Sequence, residues 1–386
     1  MRRVAVIGIG ITKFGEHWGK DLRELALEAG IKAIEDAGIE GERLDAGFVG
    51  NMAGGSFASQ EHLGALLADH MGLNPLPVTR VEAACASGGI ALRQAYLSVA
   101  SGQHDFVVAA GVEKMTDLDT ETVTEILAAA GDREWEGFVG ATFPSLYALM
   151  MRAYMLEHGA TEEDFAWVAV KNHKHATKVP YAQFPREITL ETVMKSKYIA
   201  TPIKVFDASP ITDGAAVLIL APLDEAYSYT SDPVEIVASG QASDTIALHD
   251  REYLTRVKAT EIAAQQAYKQ ANIGPEDIDV AEVHDAFTVG EVLAIEGLGF
   301  FKYGEGAKAA REGLTTFGGK VVVNTSGGLK AAGHPVGATG LKQAYEIVTQ
   351  LRGKAGERQV KDAQYGLTHN VGGSGATAVV HIFRRV

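Results

Sequence analysis

The chain contains a second version of itself. Ala33-Ile34-Glu35-Asp36-Ala37-Gly38-Ile39, leading to Asp45, resembles Ala267-Tyr268-Lys269-Gln270-Ala271-Asn272-Ile273, leading to Asp279, with Ile39 opposite Ile273 in a register of 234 residues. Further on, Leu92-Arg93-Gln94-Ala95-Tyr96 falls opposite Leu341-Lys342-Gln343-Ala344-Tyr345 in a register of 249. Self-similarity on this scale constrains the fold more than any single motif, because both halves must form the same elements. If the halves pack about a pseudo-two-fold axis, matching helices lie side by side with their first turns close together. In the second register Cys85 falls opposite His334.

Short Val/Ile-rich runs alternate with helical patterns. Val4 to Ile9 reads as a strand, Asp21 to Ala37 as a helix, the region of Phe48 as a strand, Gly88 to Ser101 as a helix and Phe106 to Ala110 as a strand. That rhythm predicts an α/β sheet with covered faces. From Met115 to Thr201 it gives way to Met- and aromatic-rich helical pieces, an insertion over the sheet. Ala215 to Leu220 returns to the core, and Val234 to Ala238 restarts the pattern after a polar linker. The expected divisions are 1–114 for the first part of the N-terminal half, 115–201 for the insertion, 202–230 for its final strands and 231–386 for the second half.

With 35 basic and 49 acidic residues the net charge is −14, which excludes general nucleic-acid or anionic-membrane binding. There is no uncharged apolar run of membrane-spanning length, and Met1-Arg2-Arg3 leads into too short an apolar stretch for a secretory leader. A cytoplasmic protein is expected. A single cysteine excludes an internal disulfide and any multi-cysteine metal site.

That cysteine stands in the small-residue turn Ala83-Ala84-Cys85-Ala86-Ser87 before an amphipathic helix. A helix N-terminus and a neighbouring imidazole both lower a thiol's pKa, and the backbone N–H of Cys85 can hold an oxyanion. His334 sits in a glycine-rich loop, Gly327 to Gly340, that opens the matching helix. His284, in Val283-His284-Asp285-Ala286-Phe287, ends a strand of the second half, where ligands bind in α/β sheets, and can donate to an enolate oxygen. Thr368-His369-Asn370-Val371-Gly372-Gly373 is a further glycine-rich turn whose N–H groups, Gly372 among them, suit a carbonyl oxygen. Gly8-Ile9-Gly10 lacks the third glycine of a dinucleotide fingerprint. His173-Lys174-His175 has no partners at metal-ligand spacing and reads as a solvated face; no metal is expected. Lys171, Lys174 and Lys178 mark either a plain surface helix or a cluster for an anionic cofactor's phosphates.

Taken together, these residues resemble the thiolase family over essentially the whole chain. The resemblance rests on the duplicated halves, the insertion, the Cys85-Ala86-Ser87 turn, Gly333-His334-Pro335 and the final glycine-rich turn. It implies a thiolase fold: duplicated βαβαβαββ halves in a layered α-β-α-β-α core with an inserted loop domain. It implies Cys85 as the nucleophile that carries an acyl group, His334 as its base and His284 at the enolate oxygen. Phe143, Met150, Phe184, Ser326, Gly327 and Gly328 are expected to receive coenzyme A. The His-Asp-Ala-Phe form of residues 284–287 is similar to archaeal and sterol-carrier-protein-type thiolases, and the pattern is closest to the archaeal acetoacetyl-CoA branch.

The implied activity is Claisen condensation of two acetyl-CoA to acetoacetyl-CoA and CoA, feeding the mevalonate route, with no permanently bound cofactor. A bulkier 3-oxoacyl-CoA substrate, a retro-aldolase and a non-catalytic scaffold remain as alternatives. Implied partners are a second copy or a dimer of dimers, 3-hydroxy-3-methylglutaryl-CoA synthase and a small zinc-binding OB-fold protein. The chain departs from the family where a second cysteine is usual: those positions read Ala286 and His369. His369 is expected to move the α-proton, ahead of His334 acting twice or a water held by His284.

Overall fold

The computed structural model describes residues 1–39 and 43–386. Ten strands form one sheet: β1 (Val4–Ile11), β2 (Ala46–Gly50), β3 (Val78–Val81), β4 (Val107–Glu113), β5 (Gly214–Pro222), β6 (Val234–Ser243), β7 (Val280–Glu282), β8 (Val322–Val323), β9 (Tyr365–Gly372) and β10 (Thr377–Arg385). Their spatial order is β8-β7-β9-β10-β6-β1-β5-β4-β2-β3. Read outward from its centre, β1-β5-β4-β2-β3 and β6-β10-β9-β7-β8 are the same path walked twice, with the same parallel and antiparallel pairings. The duplication seen in the sequence is therefore a duplication of topology. The two half-sheets join along Val4–Val6 of β1, which pair antiparallel with Val234–Ile236 of β6.

Four helices complete the layers. α1 (Leu22–Ala37) covers the outer face of β1, β5 and β4, starting from a capping box between Asp21 and Glu24. α2 (Ser87–Ser101) packs on β4 and β2. Continuing in chain order, α3 (Phe143–His158) and α4 (Glu162–Ala176) lie in the insertion, while α5 (Lys258–Ala271) covers β6 and β10 as α1 covers its own half. α6 (Thr288–Gly297) follows the His284 segment. α7 (Thr339–Leu351) packs on β9 and against α2. Because α2 and α7 each touch strands of both halves, they form the middle layer of an α-β-α-β-α stack, and the expected architecture is found. Leu92, Tyr96, Val99, Leu341, Ile347 and Val348 pack there against Val4, Val6, Leu218 and Leu220. The strands facing this layer are buried on both faces, which is why β5 reads as an unbroken apolar run rather than an alternating one.

The insertion belongs to the first half in the chain but not in the packing. Leu146, Tyr147, Met150, Met151 and Tyr154 of α3 share one core with Val283, Phe287, Val289 and Val292 of the second half.

The middle layer closes on glycine. A Cβ placed on Gly340 would lie 2.1 Å from the Gly89 nitrogen and 2.5 Å from Asn370 Oδ1, so the first turns of α2 and α7 meet backbone to backbone. Gly340→Ala is expected to destabilise the fold by at least the ~1–3 kcal/mol typical of overpacking. Gly30→Ala in α1, whose added methyl meets nothing closer than Met71 at 3.7 Å, should be neutral or stabilising. Urea unfolding of the two variants checks the contrast.

Candidate active site

Cys85 is held at the end of a strained turn. Ala84 before it has φ of 51°, a left-handed conformation unusual for a residue with a side chain. The turn is tied by Ser87, whose Oγ donates to the Ala84 carbonyl at 2.6 Å and accepts from Ala83 N–H at 2.9 Å. Glu82 accepts from Ala84 N–H at 2.6 Å. This geometry presents the sulfur ahead of the first turn of α2.

His334 comes to it from the other half. Its backbone N–H donates to Thr212 Oγ1 at 3.0 Å, and its Nδ1 lies 2.7 Å from Thr339 Oγ1, which itself donates to the Pro335 carbonyl at 3.0 Å. With the threonine proton engaged, His334 Nδ1 is the donor and Nε2 carries the lone pair. That Nε2 is buried and has no hydrogen-bond partner among the described residues.

His284 is the third member. Its ring stands edge-on to that of His334, centroids 5.1 Å apart. Sγ of Cys85 and one nitrogen of each histidine all lie within 4.8 Å of one another. Sequence register alone brought Cys85 and His334 together on paper; the structure brings all three into one cavity of about 200 Å³, lined also by Thr120, Phe143, Tyr147, Ile199, Ser209 and Phe287.

The electrostatics run against the activated thiolate expected from the sequence. Burial pushes the Cys85 thiol up to about 12; the Gly373 backbone amide pulls it down, and the nearby Glu113 carboxylate adds to the rise. Burial, with Lys342 behind it, lowers His334 to about 3. Desolvation outweighs the helix dipole because both charged forms would lose water in the same closed space. The resting pair is neutral thiol and neutral imidazole.

Several expected residues lie elsewhere. His369 is 2% exposed, with Nε2 bound to Thr260 Oγ1 at 2.8 Å and Nδ1 accepting from His284 N–H at 3.5 Å; it supports the His284 backbone rather than facing the cavity. The backbone amide directed at the sulfur is Gly373, one residue past the expected Gly372, which is paired with Thr377 in the sheet. Of the residues expected to receive coenzyme A, Phe143 lines the cavity. Met150 is wholly buried in the α3 core, and Phe184 lies half-buried outside the cavity, with its N–H on the Ala331 carbonyl. Ser326 bonds Glu282 and Lys342 inside the protein. Gly327 and Gly328 make the turn that seats the short helix Gly328–Ala332: a Cβ on Gly328 would strike the Asp285 carboxylate at 2.2 Å. Glycines that resembled a ligand cradle serve internal packing. His173 and His175 are buried rather than solvated, and Lys171 pairs internally with Glu291 at 2.5 Å, leaving no three-lysine cluster for phosphate.

Three buried groups escaped the sequence reading. Glu113 accepts from Met52, Ala53 and Gly337 backbone N–H groups, so one carboxylate ties the first half to the His334 loop; burial raises it to about 7. Asp285 accepts from Leu329 and Lys330 N–H and from Asn172, anchoring the short helix ahead of His334. Asn370 accepts from Gly89 N–H at 3.1 Å and donates to the Cys85 carbonyl at 3.0 Å. The first two follow small-residue or strand segments that carry no periodic signal for a buried carboxylate. Cys85, His284 and His334 also form the one cluster of three metal-ligating groups among the described residues. A cation there would have to displace the thiol proton.

A duplicated layered core that brings a thiol and two imidazoles into one cavity fits an enzyme of the acyltransferase class. Residues 4–224 match the profile of the thiolase N-terminal domain and 240–385 that of the thiolase C-terminal domain-like family, and the chain belongs to the thiolase family. It is 57% identical to an acetyl-CoA acetyltransferase of Methanothermobacter thermautotrophicus, with all of both chains covered. It is 50% identical to one of Methanocaldococcus jannaschii, with 99% of each covered. A solved Ltp2-ChsH2(DUF35) aldolase has a TM-score of 0.87 at 28% identity, covering 99% of this chain and 98% of that one.

With the thiol near 12, the thiolate fraction of the free enzyme grows with pH throughout the neutral and mildly alkaline range. Alkylation of Cys85 by iodoacetamide is therefore expected to be slow at pH 7 and to accelerate about tenfold per pH unit without levelling before pH 10. A plateau near pH 7 would contradict the neutral pair.

Proposed function

We propose that this acyltransferase condenses two molecules of acetyl-CoA, reversibly, to acetoacetyl-CoA and CoA through an acetyl thioester on Cys85. The observation that carries the reading is the lone thiol beside an unpartnered buried imidazole nitrogen, in a cavity that holds a second imidazole. The identity to named acetyl-CoA acetyltransferases supports the substrate.

The neutral pair sets the order of events. Cys85 S–H transfers its proton to His334 Nε2 as the sulfur attacks the thioester carbonyl, so no free thiolate is needed beforehand. The oxyanion is met by backbone N–H groups of Cys85 and Gly373. CoA leaves with the proton from His334, and Cys85 is acetylated. A second acetyl-CoA then places its thioester oxygen at His284 while its α-proton is removed. With His369 turned inward and Ala286 where a cysteine is usual, the titratable groups facing the cavity are Cys85, Tyr147, His284 and His334. Cys85 carries the acetyl group, and Tyr147 donates to the Gly373 carbonyl at 3.1 Å with its phenol held neutral by burial. His334 therefore takes the α-proton as well. The enolate carbon attacks the acetyl carbonyl, the C–S bond to Cys85 breaks, and the sulfur recovers its proton from His334.

The same reading carries the partners. Thioester condensation is uphill, so a synthase that consumes acetoacetyl-CoA, such as 3-hydroxy-3-methylglutaryl-CoA synthase in a mevalonate route, would draw it forward. The aldolase neighbour is named with a DUF35 partner, which supports a companion protein here, and the small zinc-binding OB-fold protein is the one proposed. A homodimer or dimer of dimers is proposed with it; among the described residues β3 is an edge strand, paired on one side only. No resident cofactor or metal enters the scheme. A cytoplasmic location is consistent with the lack, among the described residues, of any helix long and apolar enough to cross a membrane.

The aldolase likeness favours one rival, retro-aldol cleavage of a 3-hydroxyacyl-CoA, which needs no thioester on the protein. Mass spectrometry after mixing with acetyl-CoA separates the two. An adduct of about 42 Da, an acetyl group in place of the thiol proton, is expected on the wild type and absent from Cys85→Ala. Condensation by Cys85→Ala should fall by ~10⁴-fold or more, as when a nucleophile is removed. An unmodified wild type, with aldol turnover retained by Cys85→Ala, would give the rival the site.

A further inference from the structure

Both imidazoles of the site can enter chemistry only with the correct nitrogen protonated, and the two need opposite tautomers. His334 must offer a lone pair to a proton, while His284 must offer a proton to an enolate oxygen. For His334 the Thr339–Pro335 chain settles the matter. No residue singled out by sequence does so for His284.

Asn370 fills that place. Its Oδ1 accepts from Gly89 N–H at 3.1 Å, which fixes the orientation of the amide and turns the NH₂ group the other way. The NH₂ group donates to the Cys85 carbonyl at 3.0 Å and meets His284 Nδ1 at 3.2 Å. Flipping the amide would set its oxygen against the Cys85 carbonyl and its NH₂ against the Gly89 N–H, so the orientation is over-determined. An NH₂ group cannot accept, and Nδ1 of His284 is therefore the acceptor, which moves the ring proton to Nε2, the nitrogen without a hydrogen-bond partner among the described residues, on a ring that lines the cavity. His369 adds to this from the backbone side by accepting His284 N–H.

We propose that Asn370 is a positioning residue that locks His284 as an Nε2–H donor for the enolate oxygen, and that the same amide couples this tautomer to the Cys85 turn and the first turn of α2. The consequence for rate rests on the acyl-transfer reading; the tautomer does not. One side chain thus joins the donor of the condensation half-reaction to the peptide that carries the nucleophile. It also disfavours a metal at Cys85, His284 and His334, because this tautomer protonates His284 Nε2 and engages the lone pair on Nδ1 with Asn370.

Two measurements test the assignment. In ¹⁵N-histidine-labelled wild-type protein, with the resonances of His284 identified by their loss in His284→Ala, the two-bond ¹H–¹⁵N pattern is expected to show Nε2–H for His284. An Nδ1–H pattern would overturn the proposal, and this readout needs neither substrate nor an Asn370 variant. For the second, Asn370→Leu is expected to lower kcat for condensation by ~10²-fold, as on loss of one oxyanion-hole donor, with KM and the rate of Cys85 acetylation within a few-fold of wild type. Placed in a His284→Ala background it should cost little more, since it acts through the missing ring. Equal slowing of acetylation and condensation, or a full additional loss in the His284→Ala background, would make Asn370 merely structural. If the wild type formed no acetyl adduct, the acyl-transfer reading would fail while the NMR result still decided the tautomer.

Discussion

The whole site hangs on one backbone contact. The first turns of α2 and α7 approach so closely at Gly89 and Gly340 that no side chain fits between them, and the two helices are the matching ones of the duplicated halves. Cys85 stands just ahead of one of these turns and His334 just ahead of the other, so residues 249 positions apart become neighbours without any loop having to reach across. Glu113, bonded at once to Met52, Ala53 and Gly337, fastens the same junction from the other side. A buried carboxylate with several N–H donors resists displacement, since moving any one of them strands a polar group away from water.

The close approach has an electrostatic cost that shapes the chemistry. Closing the two helix starts removes water, and dehydration disfavours every charge in the pocket: the thiol rises, the imidazole falls, and the ion pair that a helix dipole would otherwise support does not form. In the proposed mechanism the neutral pair reacts only when substrate is present to take the sulfur, and a thiol raised this far presents little thiolate at neutral pH.

Much of this was legible in the sequence. The repeat predicted the two matching halves, the Val/Ile runs predicted their strands within a few residues, and the register placed Cys85 opposite His334. Those features are one-dimensional: they depend on spacing and on which positions are apolar. What was not legible depends on direction. His369 sits where a proton carrier was expected, yet its ring turns toward Thr260, and spacing says nothing about a χ angle. Ser326, Gly327 and Gly328 looked like a ligand cradle because glycine permits close approach, but the approaching groups are Asp285 and Ala176 of the protein itself. Met150, on a Met- and aromatic-rich helix, faces the core rather than a ligand, and such stripes carry no mark of which apolar surface they will meet. Asn370 gave no signal at all, since an asparagine in a glycine-rich turn ordinarily reads as turn chemistry.

The seating of the insertion also bears on how the molecule comes into being. Residues of α3 emerge from the ribosome well before Val283, Phe287 and Val292, the partners that cover them. Until those arrive, a methionine- and aromatic-rich face stays open on an otherwise formed first half. Synthesis of this protein thus includes an interval in which the inner face of α3 is a sticky surface, and shielding during that interval falls to chaperones or to speed of translation.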